Sequence, residues 1–206
     1  MSDFLIYLRL GFDHITDPGG YDHILFVIAL CAVYTLQQWR QVLILVTAFT
    51  IGHSITLALA TLRLIQYKTE VIELLIPITI LLTALINFGY QEPRSRNQPA
   101  LAGSQRNMGR YGLALSFGLI HGMGFSNYLR SLLGREAAIV QPLLAFNIGL
   151  ELGQLLIVAI ILTLAYLVLT LFSVSRLRWT LAVSGVVAGM AISLIIANEY
   201  LGELMK

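Results

Sequence analysis

The sequence predicts an all-α, polytopic membrane bundle. Three observations predict it. Of the 206 residues, 57% are hydrophobic and 12% charged, against about 25% charged in a typical soluble domain. Mean hydropathy is +0.80. Apolar runs of about 20 residues, long enough to cross a hydrocarbon core, recur along the whole length. The runs are continuous rather than alternating, which excludes barrel strands. Helices are then the one remaining way to satisfy every backbone polar group in lipid.

The elements follow in order. The opening MSDFLIYLRLGFDHI carries an early Asp3, a short apolar stretch and no small-residue cleavage site. It does not read as a cleaved signal peptide. It is expected to form a short amphipathic segment lying on the bilayer. Six transmembrane helices are expected at about 21–36, 40–62, 70–90, 109–133, 142–172 and 178–200. Polar turns separate them: Gln37–Arg40, then Arg63–Glu70 with Gln66 and Lys68, Arg135–Glu136, and Ser173–Arg178. Residues 91–110, rich in Arg, Asn, Gln, Ser and Pro, are expected to be a mobile loop. The whole chain reads as one integral membrane domain, 1–206, with no convincing repeat.

Charge and cysteine content narrow the class further. The net charge of +2 comes mostly from arginines in connecting loops, and a solvated, orienting loop fits them better than a nucleic-acid patch. Loops after the first, third and fifth spans hold seven Lys/Arg residues and the other side holds six. The Lys/Arg-rich side is cytoplasmic. Both termini are therefore expected outside the cytoplasm of a multi-pass plasma membrane protein, of the bacterial inner-membrane kind. A single cysteine, Cys31, excludes an internal disulfide and a multi-thiolate metal site.

The informative residues are the polar ones inside apolar runs. His23 lies in GGYDHILFVIAL, His53 in TAFTIGHSITLALA, His121 in LSFGLIHGMGFS and Glu151 in AFNIGLELGQLL; His14 lies just upstream of His23. Ionisable side chains at a helix centre cost roughly 2.5–3.5 kcal/mol on insertion scales, so they are kept where they pair, line a cavity or bind something. At 1.5 Å per residue, His53 and His121 fall about 20 and 18 Å from one membrane edge and Glu151 about 16 Å from it. They share a layer. Asp22 and His23, at the start of the first span, approach it from the N-terminal side or form a mouth above it. Asp13, His14 and Asp17 crowd that mouth. Asn147, Glu151 and Gln154 follow i, i+4, i+7 spacing and form one stripe facing the bundle interior. Glycines beside these positions allow close helix approach.

Imidazole and carboxylate donors together suit a divalent transition ion such as Ni²⁺ or Zn²⁺. The candidate ligands are His14, Asp22, His23, His53, His121 and Glu151. Asn147, Gln154, Ser54, Asp13 and Asp17 are candidates for supporting or pathway roles. Ligating imidazoles must be neutral, so binding should weaken below about pH 6.

Five segments carry a resemblance: Gly11–Ile15 (GFDHI), Tyr21–Phe26 (YDHILF), Phe49–Leu57 (FTIGHSITL), Phe117–Phe125 (FGLIHGMGF) and Phe146–Gln154 (FNIGLELGQ). They resemble the HupE/UreJ family of small membrane proteins. The resemblance implies roughly six spans and divalent-metal, nickel-type handling associated with hydrogenase or urease maturation. It places a metal permease first among the readings, with capture at His14, Asp22 and His23 and holding at His53, His121 and Glu151. An intramembrane zinc hydrolase acting on a lipid or membrane peptide is the alternative. Its ligands would be His23, His53 and His121, with Glu151 or Asp22 as general base. Ser54 and Ser126 have no spacing signal as nucleophiles. A structural or sensory subunit stabilised by metal is the third reading.

Overall fold

The computed structural model describes residues 3–90, 100–133 and 139–204. All regular structure among them is helical. The elements are α1 (Asp3–Thr16), α2 (Asp22–Cys31), α3 (Trp39–Thr61), α4 (Thr69–Phe88), α5 (Ala100–Gly124), α6 (Ser126–Leu133), α7 (Val140–Leu171), α8 (Arg176–Ile196) and α9 (Glu199–Leu204).

Four helices among the described residues are long and apolar enough to cross a membrane, in the segments Leu36–Thr61, Thr69–Phe88, Val140–Leu171 and Arg176–Ile196. Six spans were expected, so the count is corrected from six to four among the described residues. The first expected span is a helix of only 10 residues, α2, about 15 Å long. The apolar sequence runs on, but the chain turns after Cys31. The fourth expected span breaks at Phe125 into α5 and the short α6, which carries Arg130. The expected loop at 91–110 is corrected in part: residues 100–110 belong to α5, and residues 91–99 lie outside the described residues.

Hydrogen bonds fix which ends meet. At one end, Asn87 of α4 donates to the Ala29 carbonyl of α2 at 2.7 Å, and Thr180 of α8 donates to the Ala32 carbonyl at 3.0 Å. Arg176 there donates to Gln38 Oε1, just ahead of α3, at 2.8 Å. This is the basic end. At the other, Tyr67, ahead of α4, donates to the Met123 carbonyl of α5 at 3.0 Å, and Asn127 of α6 donates to Thr69 Oγ1 at 3.0 Å. Helices α3 and α5 therefore leave the basic end, α4 and α7 run back to it, and α8 leaves it again.

Two helix pairs lock through glycine. A Cβ on Gly52 would strike the Leu115 carbonyl, and one on Gly118 would strike the Phe49 carbonyl. A Cβ on Gly11 would strike the Phe146 carbonyl, and one on Gly149 the Leu8 carbonyl. In all four cases the carbonyl lies three residues before the partner glycine. One turn further on, Gly122 meets the His53 carbonyl and Gly153 meets Ile15. The registers rise together, so α3 with α5, and α1 with α7, are parallel pairs at backbone contact, as small residues permit. The same contact corrects the expectation for the N-terminal segment. Helix α1 does not lie on the surface; Gly11 and Ile15 are buried against α7. One face of α1 finds a partner helix, while Leu5 and Ile6 remain exposed.

Candidate metal centre

Each histidine is delivered by its own helix. The short turn at Asp17–Gly20, where the Asp17 carboxylate accepts from the Gly19 amide at 2.8 Å, folds the start of α2 back against the end of α1. His14 and His23 then face each other, ring centroids 4.6 Å apart. His53 of α3 lies 6.3 Å from His14 and 6.5 Å from His23 by the same measure. One ring nitrogen from each of His14, His23 and His53 lies within 4.8 Å of the other two. His121 of α5 adjoins them, 5.2 Å from the His23 ring. It is held there by the Gly122–His53 backbone contact. Phe26, Phe49, Phe125 and Phe146 pack around the rings and line the centre with apolar surface. The centre lies eight residues, about 12 Å, before the end of α3, so it is offset towards the end opposite the basic one.

Hydrogen bonds orient the rings. The Asp22 carboxylate accepts from the backbone amide of His23 at 2.9 Å and stands 3.0 Å from its Nδ1. A carboxylate offers no proton, so Nδ1–H donates and Nε2 keeps its lone pair. Thr79 spends its single hydroxyl hydrogen on the Ile76 carbonyl at 2.7 Å and stands 3.0 Å from His121 Nε2. It must accept there, so the lone pair of His121 is on Nδ1. Both freed nitrogens are buried without a partner. So are His14 Nε2 and both nitrogens of His53, whose side chain is 0% exposed. Buried polar groups are nearly always satisfied. Four imidazoles with unmet acceptors converging in an apolar pocket fit a bound cation. Two nitrogens on one ion at about 2.1 Å each lie up to about 4.2 Å apart, so small ring rotations close the observed spread.

The remaining expected site residues fall elsewhere. Asp22 does not join the cluster; it orients His23. Glu151 also lies apart. Its Oε1 accepts from Thr47 Oγ1 at 2.8 Å, and Thr47 is six residues, about 9 Å, from His53 along α3. Gln154 accepts from Thr50 at 2.8 Å. Asn147 Oδ1 is buried and unpartnered. Glu151 and Gln154 of the stripe on α7 face α3, at Thr47 and Thr50. Ser54 donates to the Thr50 carbonyl at 2.6 Å, and Ser126 bonds Tyr67 and the Met123 carbonyl, so neither hydroxyl addresses the centre. Asp13 pairs with Arg9 at 3.4 Å on an exposed face. Thr79, Thr47 and Thr50 were not legible as site residues, because a threonine in an apolar helix normally bonds its own backbone.

Among the described residues, two of the cavities that open at this end are lined by carboxylates. One of about 460 Å³ is lined by Asp13, His14, Asp17, Phe125 and Tyr128 among others, and so reaches a cluster histidine directly. The other, about 480 Å³, is lined by Asp22, Glu70, Glu73, Glu199 and Glu203.

A family model described as HupE / UreJ protein matches residues 1–200. The chain belongs to the HupE/UreJ family. Neither the curated proteins nor the solved structures give a match. Membership and the apolar helices make this an integral membrane protein, and the family carries a membrane role in metal transport or its accessory steps. The histidines that carried the resemblance are the ones the fold gathers.

Proposed function

We propose that the protein takes up a divalent transition metal ion, Ni²⁺ or Zn²⁺ in type, at His14, His23 and His53, with His121 as a fourth donor, and that it acts as a permease or metal-handling accessory. One observation carries the reading: buried, unpartnered imidazole nitrogens from three helices, those of His14, His23 and His53, come together among apolar side chains, with His121 of a fourth helix beside them. Neutral imidazole is a ligand for ions of this kind. The carboxylates of the two cavities raise the local concentration of cations at the mouth. His14 lies between the smaller cavity and the cluster. The orientation that fits puts this acidic end outside and the arginine-rich end, with Arg40, Arg110, Arg176 and Arg178, in the cytoplasm.

A metal hydrolase would need a general base beside the ion. Asp22 is committed to His23 and Glu151 to Thr47, which favours ion handling over hydrolysis. The test is metal content by mass spectrometry of detergent-purified protein, beside His23→Ala and His53→Ala. Weak, reversible Ni²⁺, Co²⁺ or Zn²⁺ binding lost in both variants supports ion handling. Zinc that survives dialysis and disappears in both variants points to a fixed catalytic or structural ion. No divalent binding in the wild type overturns the site.

A further inference from the structure

Helix α3 stops at a pair of arginines. The Arg63 amide donates to the Ala60 carbonyl at 3.1 Å, and the Leu64 amide to the Leu59 carbonyl at 2.9 Å. A helix end closed in this way turns on one residue in the left-handed region. That residue is Arg63, with φ of 59°. Glycine or asparagine is the ordinary choice there, so the arginine side chain is kept at a cost. Arg130 of α6 donates to the same Ala60 carbonyl through Nη2. One oxygen therefore holds both arginines, the backbone of the first and the guanidinium of the second.

Both also line a single cavity of about 330 Å³. Its walls are fixed: Tyr67 is bonded to the Met123 carbonyl and Asn127 to Thr69. No carboxylate is among the described residues that line it, and among the described residues neither arginine is in an ion pair. Closing α3 occupies one hydrogen of Arg130. It leaves the exposed guanidinium of Arg63 without a task. Two like charges on one cavity repel. An anion between them offsets the repulsion and accepts charge-assisted hydrogen bonds from both guanidiniums.

The surroundings indicate which anion. Ile51, Ile55 and Leu62 fall on one face of α3 and are exposed. Leu64, just past Arg63, is exposed as well. The lipid-facing stripe of α3 thus runs out beside the two guanidiniums, where a phospholipid carries its phosphate. We propose that Arg63 and Arg130 form a headgroup site for an anionic phospholipid: the guanidiniums hold its phosphodiester, and its chains lie along the exposed stripe of α3. Basic pockets at the ends of membrane helices take lipid headgroups in this manner. The described lining offers no carboxylate to an ammonium group, so the site favours phosphatidylglycerol over phosphatidylethanolamine. It does not depend on the histidine centre.

The test is native mass spectrometry of the full chain, delipidated in detergent and titrated with dioleoyl phosphatidylglycerol or dioleoyl phosphatidylethanolamine. Arg130 also closes α3, so the variant is Arg63→Asn, which deletes the charge and suits the left-handed backbone. Lys68→Gln, on the same connection but outside the cavity, controls for diffuse charge. Wild type should bind the first phosphatidylglycerol more tightly than phosphatidylethanolamine. Arg63→Asn should weaken that binding about tenfold, and Lys68→Gln should leave it unchanged. Undiminished binding in Arg63→Asn, or an equal loss in Lys68→Gln, overturns the site. Equal affinity for the two lipids overturns the anionic headgroup. Displacement of the lipid by millimolar inorganic phosphate identifies a free-anion site and overturns the lipid assignment.

Discussion

Asp22→Asn isolates the electrostatic support of the centre. Asparagine keeps an oxygen to accept the His23 amide, so the start of α2 stays capped; what disappears is the negative charge. Adding the 3.0 Å contact from Asp22 to His23 Nδ1, the ring, and an ion–nitrogen bond of about 2.1 Å puts the carboxylate about 7 Å from a bound ion. A unit charge and a divalent ion at that distance attract by about 1 kcal/mol in water and by about 5 kcal/mol at an effective dielectric of about 20. Loss of an outer partner of a metal-bound histidine costs about 10- to 100-fold in affinity, or about 1.4–2.8 kcal/mol, which falls inside those limits. The expected effect is therefore about 30-fold weaker binding, about 2 kcal/mol. Titration of purified protein with Ni²⁺ or Zn²⁺ against a competing chelator reads it. Asp22→Asn binding within threefold of wild type, with His23→Ala strongly impaired, would show that Asp22 neither orients nor charges the site.

Four further outcomes follow from the same geometry. His53→Ala removes a ligand with no alternative role in the hydrogen-bond network, so it should abolish measurable binding while leaving the helical circular dichroism signal unchanged. Thr79→Val removes the acceptor that fixes the His121 tautomer; a modest loss in affinity, several-fold, is expected in the same titration. Gly118→Ala and Gly149→Ala push a methyl group into a facing carbonyl and should each lower stability by about 1–3 kcal/mol, read as a fall in the detergent melting temperature. Binding should also weaken on acidification, because protonated imidazole has no lone pair to give; an affinity that does not fall at any acidic pH at which the protein keeps its helical signal would count against histidine ligation.

The parts of the fold legible in the sequence are those with one dominant signal. Helices α3, α4, α7 and α8 are long apolar runs between polar turns, and length alone identifies them. Helix α2 was not legible as a short helix, because Ala32, Val33 and Tyr34 continue its hydrophobicity past the turn and are themselves buried. Nor was the break at Phe125, which no proline marks. In the site, counting residues from span edges gave each side chain a height but no bearing around the bundle. His53 and His121 share a layer because α3 and α5 are parallel and in glycine register. Glu151 does not join them, because α7 runs the other way and sets Thr47 against it. His14 read as a mouth residue while α1 was expected on the surface; the glycine contact with α7 carries it to the centre.

The two glycine locks also divide the candidate site between rigid blocks. Backbones in direct contact cannot slide past one another without a clash, so α3 with α5 makes one rigid block and α1 with α7 makes another. His53 and His121 ride on the first, and His14 on the second, while His23 sits on the short helix between. The proposed ligand set is thus divided between two bodies, which the Thr47–Glu151 and Thr50–Gln154 hydrogen bonds join.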